Sequence, residues 1–140
     1  MKILARNRKA RHDYHVEEKL ETGIALLGTE IKSCRAGNVS IAEAFAKIRD
    51  GELWLVGATI AAYEQGNRNN HDPNRERKLL VHKRELRHLK QTSEAKGMTL
   101  VPLSLYLNRG KAKLELGICR GKARHDKRED MKRRTHEREA

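Results

Sequence analysis

The 140-residue chain carries 31 lysines and arginines against 19 aspartates and glutamates, which gives a net charge of +12. This length corresponds to a single domain that can bury a core without a disulfide or a structural metal. So strong a positive charge favours a polyanionic partner, nucleic acid before an anionic membrane. No apolar run approaches the roughly 18–20 residues of a membrane span, and the start lacks a secretory apolar core, so we expect a cytoplasmic protein.

Residues 1–13 form a basic segment. Cationic side chains precede the first acidic residue, Asp13, at Lys2, Arg6, Arg8, Lys9 and Arg11. A segment of this composition commonly stays mobile until it meets a polyanion, so we expect a mobile basic arm. An ordinary solvated leader is the alternative interpretation.

A period of two begins at Tyr14 and predicts a strand. The apolar face consists of Tyr14, Val16, Leu20, Ile24 and Leu26. The opposite, wet face carries Glu21. Gly23 indicates a bend or a bulge within this strand, and Gly28 turns the chain into a second, antiparallel strand from Thr29 to Cys34.

Two local signals follow. Ser40 and Glu43 have the spacing of a capping box, so we expect one or two helical turns that end near Ala46. Asp50-Gly51 favours a two-residue turn and therefore predicts a β-hairpin. Its strands are residues 45–48 and 52–60.

A long, polar connection is predicted from Tyr63 to Leu80. Connections longer than about 12–15 residues are uncommon in compact domains and are usually functional or disordered. Asn side chains read base edges and Arg pairs with phosphate, so RNA binding is one interpretation and a solvated loop is the other. The candidate RNA contacts are Lys32 of the predicted second strand, Arg35 directly after that strand, and Asn67, Arg68, Arg75 and Arg77 of the connection.

A helix and a second hairpin complete the folded part. Residues 81–96 have helical spacing, and Gly97 is suited to a helix C-terminus. Apolar residues then alternate over 101–107 and 112–118 on either side of Asn108-Arg109-Gly110, which predicts a hairpin. Pro102 cannot donate a hydrogen bond to the sheet, so it marks an edge or a bulge.

These elements predict a mainly β fold with small helices. About six short antiparallel strands, flanked by two or three short helices, are best accommodated by a small closed barrel, because closure removes the strand edges. An OB-like barrel over residues 1–121 is therefore the expected architecture.

The remaining segment, residues 122–140, is a basic tail without any period. Met131 is its one large apolar side chain, so burial cannot offset the ~1–2 kcal/mol per residue that ordering of the backbone costs. We expect it to be disordered alone and to fold on contact with RNA, because Glu129 with Arg133 and Asp130 with Arg134 are spaced to support a helix. A simple solubilising tail is the alternative.

The histidines and cysteines do not indicate an enzyme or a metal site. The pairs His71-Asp72 and His125-Asp126 have no nearby Ser or Cys nucleophile and lie in segments that look mobile rather than preorganised. Cys34 and Cys119 are far apart and lack metal-ligand spacing, so we expect reduced, half-buried strand residues. We therefore expect no catalytic activity, no cofactor and no metal.

Several separated motifs together resemble a known family. They are Asn7-Arg-Lys-Ala-Arg-His-Asp-Tyr14, Gly28-Thr-Glu-Ile-Lys-Ser33, Asn70-His-Asp-Pro73, Arg77-Lys-Leu-Leu80 and His125-Asp-Lys-Arg128. In order and spacing they resemble the bacterial tmRNA-binding family known as SsrA-binding protein or small protein B.

The resemblance implies both a fold and a function. Members of the family have an OB-like barrel with flanking helices and bind the elbow of the tRNA-like domain of tmRNA. They enter stalled ribosomes with alanyl-tmRNA and elongation factor Tu and stand in for the missing anticodon arm. Their tail becomes a helix in the empty mRNA channel, and tagging of the unfinished peptide follows.

The resemblance also assigns roles to residues. The tmRNA-binding face would include Glu21, Lys78, Leu80 and His82, the last at a position where some relatives have Asn. The decoding-centre and tail-hinge segment would be Gly121, Lys122, His125, Asp126, Lys127 and Arg128. The tail departs from the family where His136 stands in place of an aromatic residue that some relatives carry.

Two other functions are compatible with the composition. A general single-strand binder would need serial base stacking, for which one Trp, one Phe and three Tyr are too few. A structural ribosomal protein would co-purify stoichiometrically with ribosomes. Of the three functions, tmRNA binding by a monomeric protein is the one we expect.

Overall fold

The computed structural model describes residues 1–63 and 70–122. In these two ranges the chain forms nine strands and three helices. The strands are β1 (Lys2–Arg6), β2 (Tyr14–Ile24), β3 (Val39–Ser40), β4 (Phe45–Arg49), β5 (Glu52–Val56), β6 (Thr59–Ile60), β7 (Arg77–Leu80), β8 (Met98–Asn108) and β9 (Lys111–Gly121). The helices are α1 (Arg8–Asp13), α2 (Gly28–Arg35) and α3 (Lys83–Ser93).

Six of the strands close into a ring. Its antiparallel order is β8, β4, β5, β7, β2, β9 and back to β8. One edge of β8 pairs with β9, whereas its other edge is shared between β4 and β1. β3 and β6 form a separate two-stranded sheet. The mainly β fold and the count of about six ring strands are therefore confirmed.

The alternating apolar residues of the ring strands form the core. Leu53 and Leu55 of β5 are each 1% exposed, and Leu114 and Leu116 of β9 are fully buried. Helix α3 adds Leu89, which is also fully buried. Burial of one such side chain contributes roughly 1.5–3 kcal/mol, so this cluster is the main source of the ring's stability.

Both predicted hairpins are present. The β4–β5 turn has Asp50 at φ 53° and Gly51 at φ 72°, and the β8–β9 turn has Arg109 at φ 53° and Gly110 at φ 76°. Two successive positive φ angles match the twist of the flanking strands. The register of β8 against β9 shifts between Pro102 and Ser104, so of the two expected alternatives, an edge or a bulge, Pro102 marks a bulge.

The predicted second strand is instead helix α2. Ile31, Ser33 and Cys34 do not follow the every-second-residue burial of a strand. The buried residues Glu30, Ser33 and Cys34 instead lie three and four residues apart, which is helical spacing. The carboxylate of Glu30 accepts a hydrogen bond from the Leu27 amide at 2.8 Å and so caps the first turn. The expected strand is wrong because the contacts of a buried charged side chain, Glu30, set the helical state of this short segment.

The short helix predicted after Ser40 does not form. Ser40 belongs to β3 and pairs with Thr59, which holds its backbone extended. Glu43 does not reach back to Ser40, because its carboxylate pairs with Lys9 Nζ at 2.9 Å. Long-range pairing therefore overrides the local capping signal here.

The amino-terminal segment is folded rather than a mobile arm. β1 pairs with β8, and Asn7 joins β1 to α1. Asn7 Oδ1 accepts from the Ala10 amide at 3.1 Å, and Asn7 Nδ2 donates to the Pro102 carbonyl at 2.9 Å. This buried amide caps α1 and ties it to the ring, which explains why the segment is ordered despite its charge.

Both cysteines are free and buried. Cys119 lies in β9, whereas Cys34 lies in α2 rather than in a strand, and each is at most 1% exposed instead of half-buried. Burial raises the pKa of each thiol to about 11, so both are protonated at neutral pH.

Candidate RNA-binding surface

A cleft of about 690 Å³ brings together three of the predicted RNA contacts. Glu21 comes from β2, Leu80 from the end of β7, and His82 from the residue that precedes α3. The cleft is also lined by Gly23, Ile24, Leu26, Ile31, Val81, Glu85, Gly110, Lys111, Ala112 and Lys113. The acidic and basic side chains nearly balance, so the cleft suits polar and apolar contacts more than phosphate alone.

Leu80 is an exposed apolar side chain at this site. Half of its surface is exposed, and it lies opposite Gly23 in the register of β7 against β2. A Cβ atom on Gly23 would come within 3.2 Å of Leu80 Cβ, so glycine makes room for the leucine. Gly23 was predicted to bend the strand, but the register shift in β2 lies between Val16 and Glu18.

Glu21 is held by a tyrosine that the sequence did not point to. The hydroxyl of Tyr106 on β8 donates to Glu21 Oε2. Tyr106 is 7% exposed, and burial, with the hydrogen bond to Glu21 and the nearby Glu115 charge, raises the pKa of its hydroxyl. The phenol therefore keeps its proton and acts as a donor at neutral pH.

Glu30 is a buried acceptor for two of the predicted arginines. Arg77 Nε donates to Glu30 Oε2 at 2.7 Å, and Arg75 Nη2 donates to Oε1 at 2.5 Å. Burial pushes the pKa of Glu30 up, but the hydrogen bonds from Arg75, Leu27 and Arg77 outweigh it, so the pKa lies below the ordinary 4.5. The cluster links α2 to the segment that leads into β7.

Arg77 is fully buried, so the prediction that it contacts RNA is corrected. Its Nη1 donates to the Ala58 carbonyl at 2.9 Å, and its Nη2 donates to the Pro73 carbonyl at 3.2 Å. Every one of these partners is internal, and the guanidinium is out of reach of a macromolecule at the surface. Arg77 instead fixes the chain around Pro73, whereas the side chain of Arg75 stays about one third exposed.

His71 is also structural. Its Nε2 lies 2.8 Å from the Ile60 carbonyl, and its Nδ1 lies 2.9 Å from the Thr29 hydroxyl. Because a carbonyl only accepts, Nε2 carries the proton and Nδ1 accepts from Thr29. The side chain of His71 is therefore held at both ring nitrogens. This corrects the expectation that the His71-Asp72 pair is mobile.

The remaining described candidates lie outside the cleft. Lys32 and Arg35 are exposed on α2, and Lys32 Nζ is 5.5 Å from the ring of Tyr63. Lys78 lies two residues before Leu80 on the same face of β7 and pairs with Glu52 at 3.2 Å. None of these three side chains lines the cleft, and that they contact RNA stays a prediction.

The candidates at the carboxyl end of the described range are Gly121 and Lys122. Gly121 ends β9, and the Lys122 amide donates to the Asp13 carbonyl at 3.0 Å. The predicted contacts at Asn67, Arg68, His125, Asp126, Lys127 and Arg128 lie outside the described residues. The division into a domain over residues 1–121 and a tail over 122–140 stays a prediction, because the residues after 122 lie outside the described range.

Sequence reasoning recognised the amino-terminal cations but not their arrangement. Arg6, Arg8, Arg11 and Lys19 line a second cleft of about 540 Å³ beside Tyr106. Asn7 is the sequence signal for an ordered amino-terminal segment, because an Asn directly before a short helical segment marks a helix start.

Within 1–63 and 70–122, no helix is long and apolar enough to cross a membrane, and no group of three or more His, Cys, Asp or Glu side chains is arranged to hold a metal ion.

Comparison with known proteins gives consistent matches along the chain. The family model described as "SmpB protein" matches residues 4–140. An SsrA-binding protein of Carboxydothermus hydrogenoformans is 56% identical over 138 residues, which cover 99% of this chain and 93% of the relative. An SsrA-binding protein of Geobacillus thermodenitrificans is 54% identical over 138 residues, 99% of this chain and 89% of the relative.

A solved structure is similar as well. It is described as "tmRNA-SmpB: a journey to the center of the bacterial ribosome", and the matched chain has 54% sequence identity and a TM-score of 0.72. The match covers 89% of this chain and 92% of that one.

Proposed function

The chain belongs to the SmpB family of SsrA-binding proteins, and from this membership we propose that it binds tmRNA in trans-translation, through the cleft of Glu21, Leu80 and His82. The convergence of these three side chains from separate elements is the observation that supports the site. The bound RNA is the folded tRNA-like domain, recognised by shape and a few groups rather than by a run of sequence.

The chemistry of the cleft suits such a partner. Glu21 accepts hydrogen bonds from base N–H groups, Leu80 offers an apolar contact to an unstacked base or a ribose, and His82 adds a polar group. Outside the cleft, Lys32, Arg35, Arg75 and Lys78 contact the phosphate backbone, which positions the RNA without reading its sequence.

On the ribosome, the protein acts as a monomer that stands in for the anticodon arm of tmRNA. It arrives with alanyl-tmRNA and elongation factor Tu. Gly121 and Lys122 lead the tail towards the decoding centre, where His125, Asp126, Lys127 and Arg128 make contact. The rest of the tail becomes a helix in the empty mRNA channel, since a polyanionic groove relieves its charge repulsion.

Two substitutions of exposed apolar residues, one in the cleft and one outside it, test the site. Leu80→Ser removes an exposed apolar contact in the cleft and is expected to weaken binding of the tRNA-like domain about tenfold. Phe45→Ser removes a comparably exposed apolar side chain outside the cleft and is the matched control. Equal affinities of the two variants in a filter-binding or fluorescence titration would remove this cleft from the RNA interface.

A further inference from the structure

Glu21 occupies a position that sheet stability alone does not favour. In the register of β2 against β9 it lies directly opposite Glu115. Like charges in directly opposed positions destabilise an antiparallel pair. A carboxylate at such a position needs a donor to offset this repulsion, and it lines a cleft of mixed charge where a partner can reach it.

Tyr106 fixes the direction of this carboxylate. Its hydroxyl donates to Glu21 Oε2, and a hydrogen bond to an ionised acceptor is of the stronger kind. The tyrosine is itself held: it lies on β8 between Ile3 of β1 and Lys113 of β9 in the strand register. Because Tyr106 is almost wholly buried, its hydroxyl has little freedom to turn away.

With Oε2 bonded to Tyr106, the other carboxylate oxygen, Glu21 Oε1, can accept a hydrogen bond from another donor. Among the hydrogen bonds of the described residues, Glu21 takes part through Oε2 alone. A free glutamate side chain on a strand would lose rotamer freedom when it binds RNA, whereas one already held has lost much of that freedom on folding.

We propose that Tyr106 is a positioning residue for tmRNA recognition, which holds the Glu21 carboxylate so that its second oxygen accepts from an N–H donor of the RNA. This inference rests on the proposed function and adds to it a residue that does not touch the RNA. The folded amino-terminal strand takes part indirectly, because β1 covers the edge of β8 on which Tyr106 lies.

The test is a double-mutant cycle on the full-length protein with the tRNA-like domain of tmRNA. Tyr106→Phe keeps the ring and removes only the hydroxyl, and it is expected to weaken binding about three- to tenfold through a faster off-rate. In a Glu21→Gln background the same change is expected to alter the affinity less than about twofold, since the carboxylate it positions is gone.

Three controls make the result specific. Tyr14→Phe removes a phenol hydroxyl elsewhere on β2 and is expected to bind as the unmodified protein does. The salt dependence of binding should keep its slope in Tyr106→Phe, because no phosphate contact is lost. Glu21→Asp keeps the charge but is too short to hold both partners, so it should bind more weakly even if Tyr106→Phe folds poorly.

The outcomes separate this inference from the proposed function. If Glu21→Gln binds tmRNA as tightly as the unmodified protein, the proposed site fails and the inference fails with it. If Glu21→Gln weakens binding while Tyr106→Phe does not, or if Tyr106→Phe weakens it equally in both backgrounds, the site stands and the positioning role is overturned.

Discussion

The buried ion pair of Arg77 and Glu30 is the residue-scale feature that fixes the connection leading into β7. Arg77 is fully buried, and its Nε donates to Glu30 Oε2 at 2.7 Å. The charge of an arginine can be read from a sequence, but its burial depends on which distant residue meets that charge. That Glu21, Leu80 and His82 contact RNA is expected from the family resemblance and stays a prediction.

The buried cluster predicts a large stability effect from one substitution. Glu30→Gln leaves the buried Arg77 without its counter-charge, and we expect the free energy of unfolding to fall by about 3–5 kcal/mol. Urea denaturation measures this as a lower midpoint. Glu43→Gln, which breaks the exposed pair with Lys9, is the control and should change little. Similar shifts for the two variants would contradict a structural role for the cluster.

The same cluster predicts a pH dependence. The pKa of Glu30 is lower in the folded chain than its ordinary value of 4.5, so its contribution is complete above that value and is lost as pH falls through the folded pKa. Unfolding free energies measured from pH 6 to pH 3 should therefore fall more steeply for the unmodified protein than for Glu30→Gln. If the two curves run parallel, the ionised carboxylate of Glu30 does not stabilise the folded chain relative to the unfolded chain.

Whole elements were predictable where their signals are local. The two hairpins follow from turn residues that are neighbours in sequence, and the bulge follows from Pro102 itself. Helix α2 and the extended Ser40 were missed because their states are set by contacts with Arg75, Arg77 and Thr59, far along the chain. The order of the amino-terminal segment likewise depends on pairing with β8.

The β8–β9 turn predicts a stabilising substitution. Arg109 has φ 53°, a conformation that costs an ordinary L-residue roughly 1–2 kcal/mol and that asparagine tolerates better. We expect Arg109→Asn to raise the free energy of unfolding by up to about 1 kcal/mol, seen as a higher urea midpoint. Lys111→Asn, on the exposed strand position just after the turn, should give no such gain. A neutral or destabilising Arg109→Asn would show that the turn carries no strain at this residue.

At the scale of the whole molecule, charge and length indicated the class of partner, and closure of the strands indicated the architecture. A net charge of +12 on 140 residues points to a polyanion but does not choose among RNAs. That choice came from the ordered motifs, and the family comparison supports it. The division into a binding domain and a ribosome-directed tail remains a prediction.

Truncation tests that division. A chain that ends at Arg128 keeps the cleft and every described element, so we expect it to bind tmRNA with unchanged affinity. It lacks the segment proposed to enter the mRNA channel, so peptide tagging should be abolished in a reconstituted translation system. Loss of tmRNA binding in the truncated chain, or tagging at the full rate, would refute the separation of the two roles.

The most direct measurement compares the affinity of the full-length protein for tmRNA with its affinity for an unrelated folded RNA of equal length, at physiological salt. Recognition of one RNA by shape predicts a preference for tmRNA on the order of a hundredfold or more, which survives added salt better than non-specific binding does. Equal affinities for the two RNAs would reduce the protein to a general polyanion binder and contradict the account.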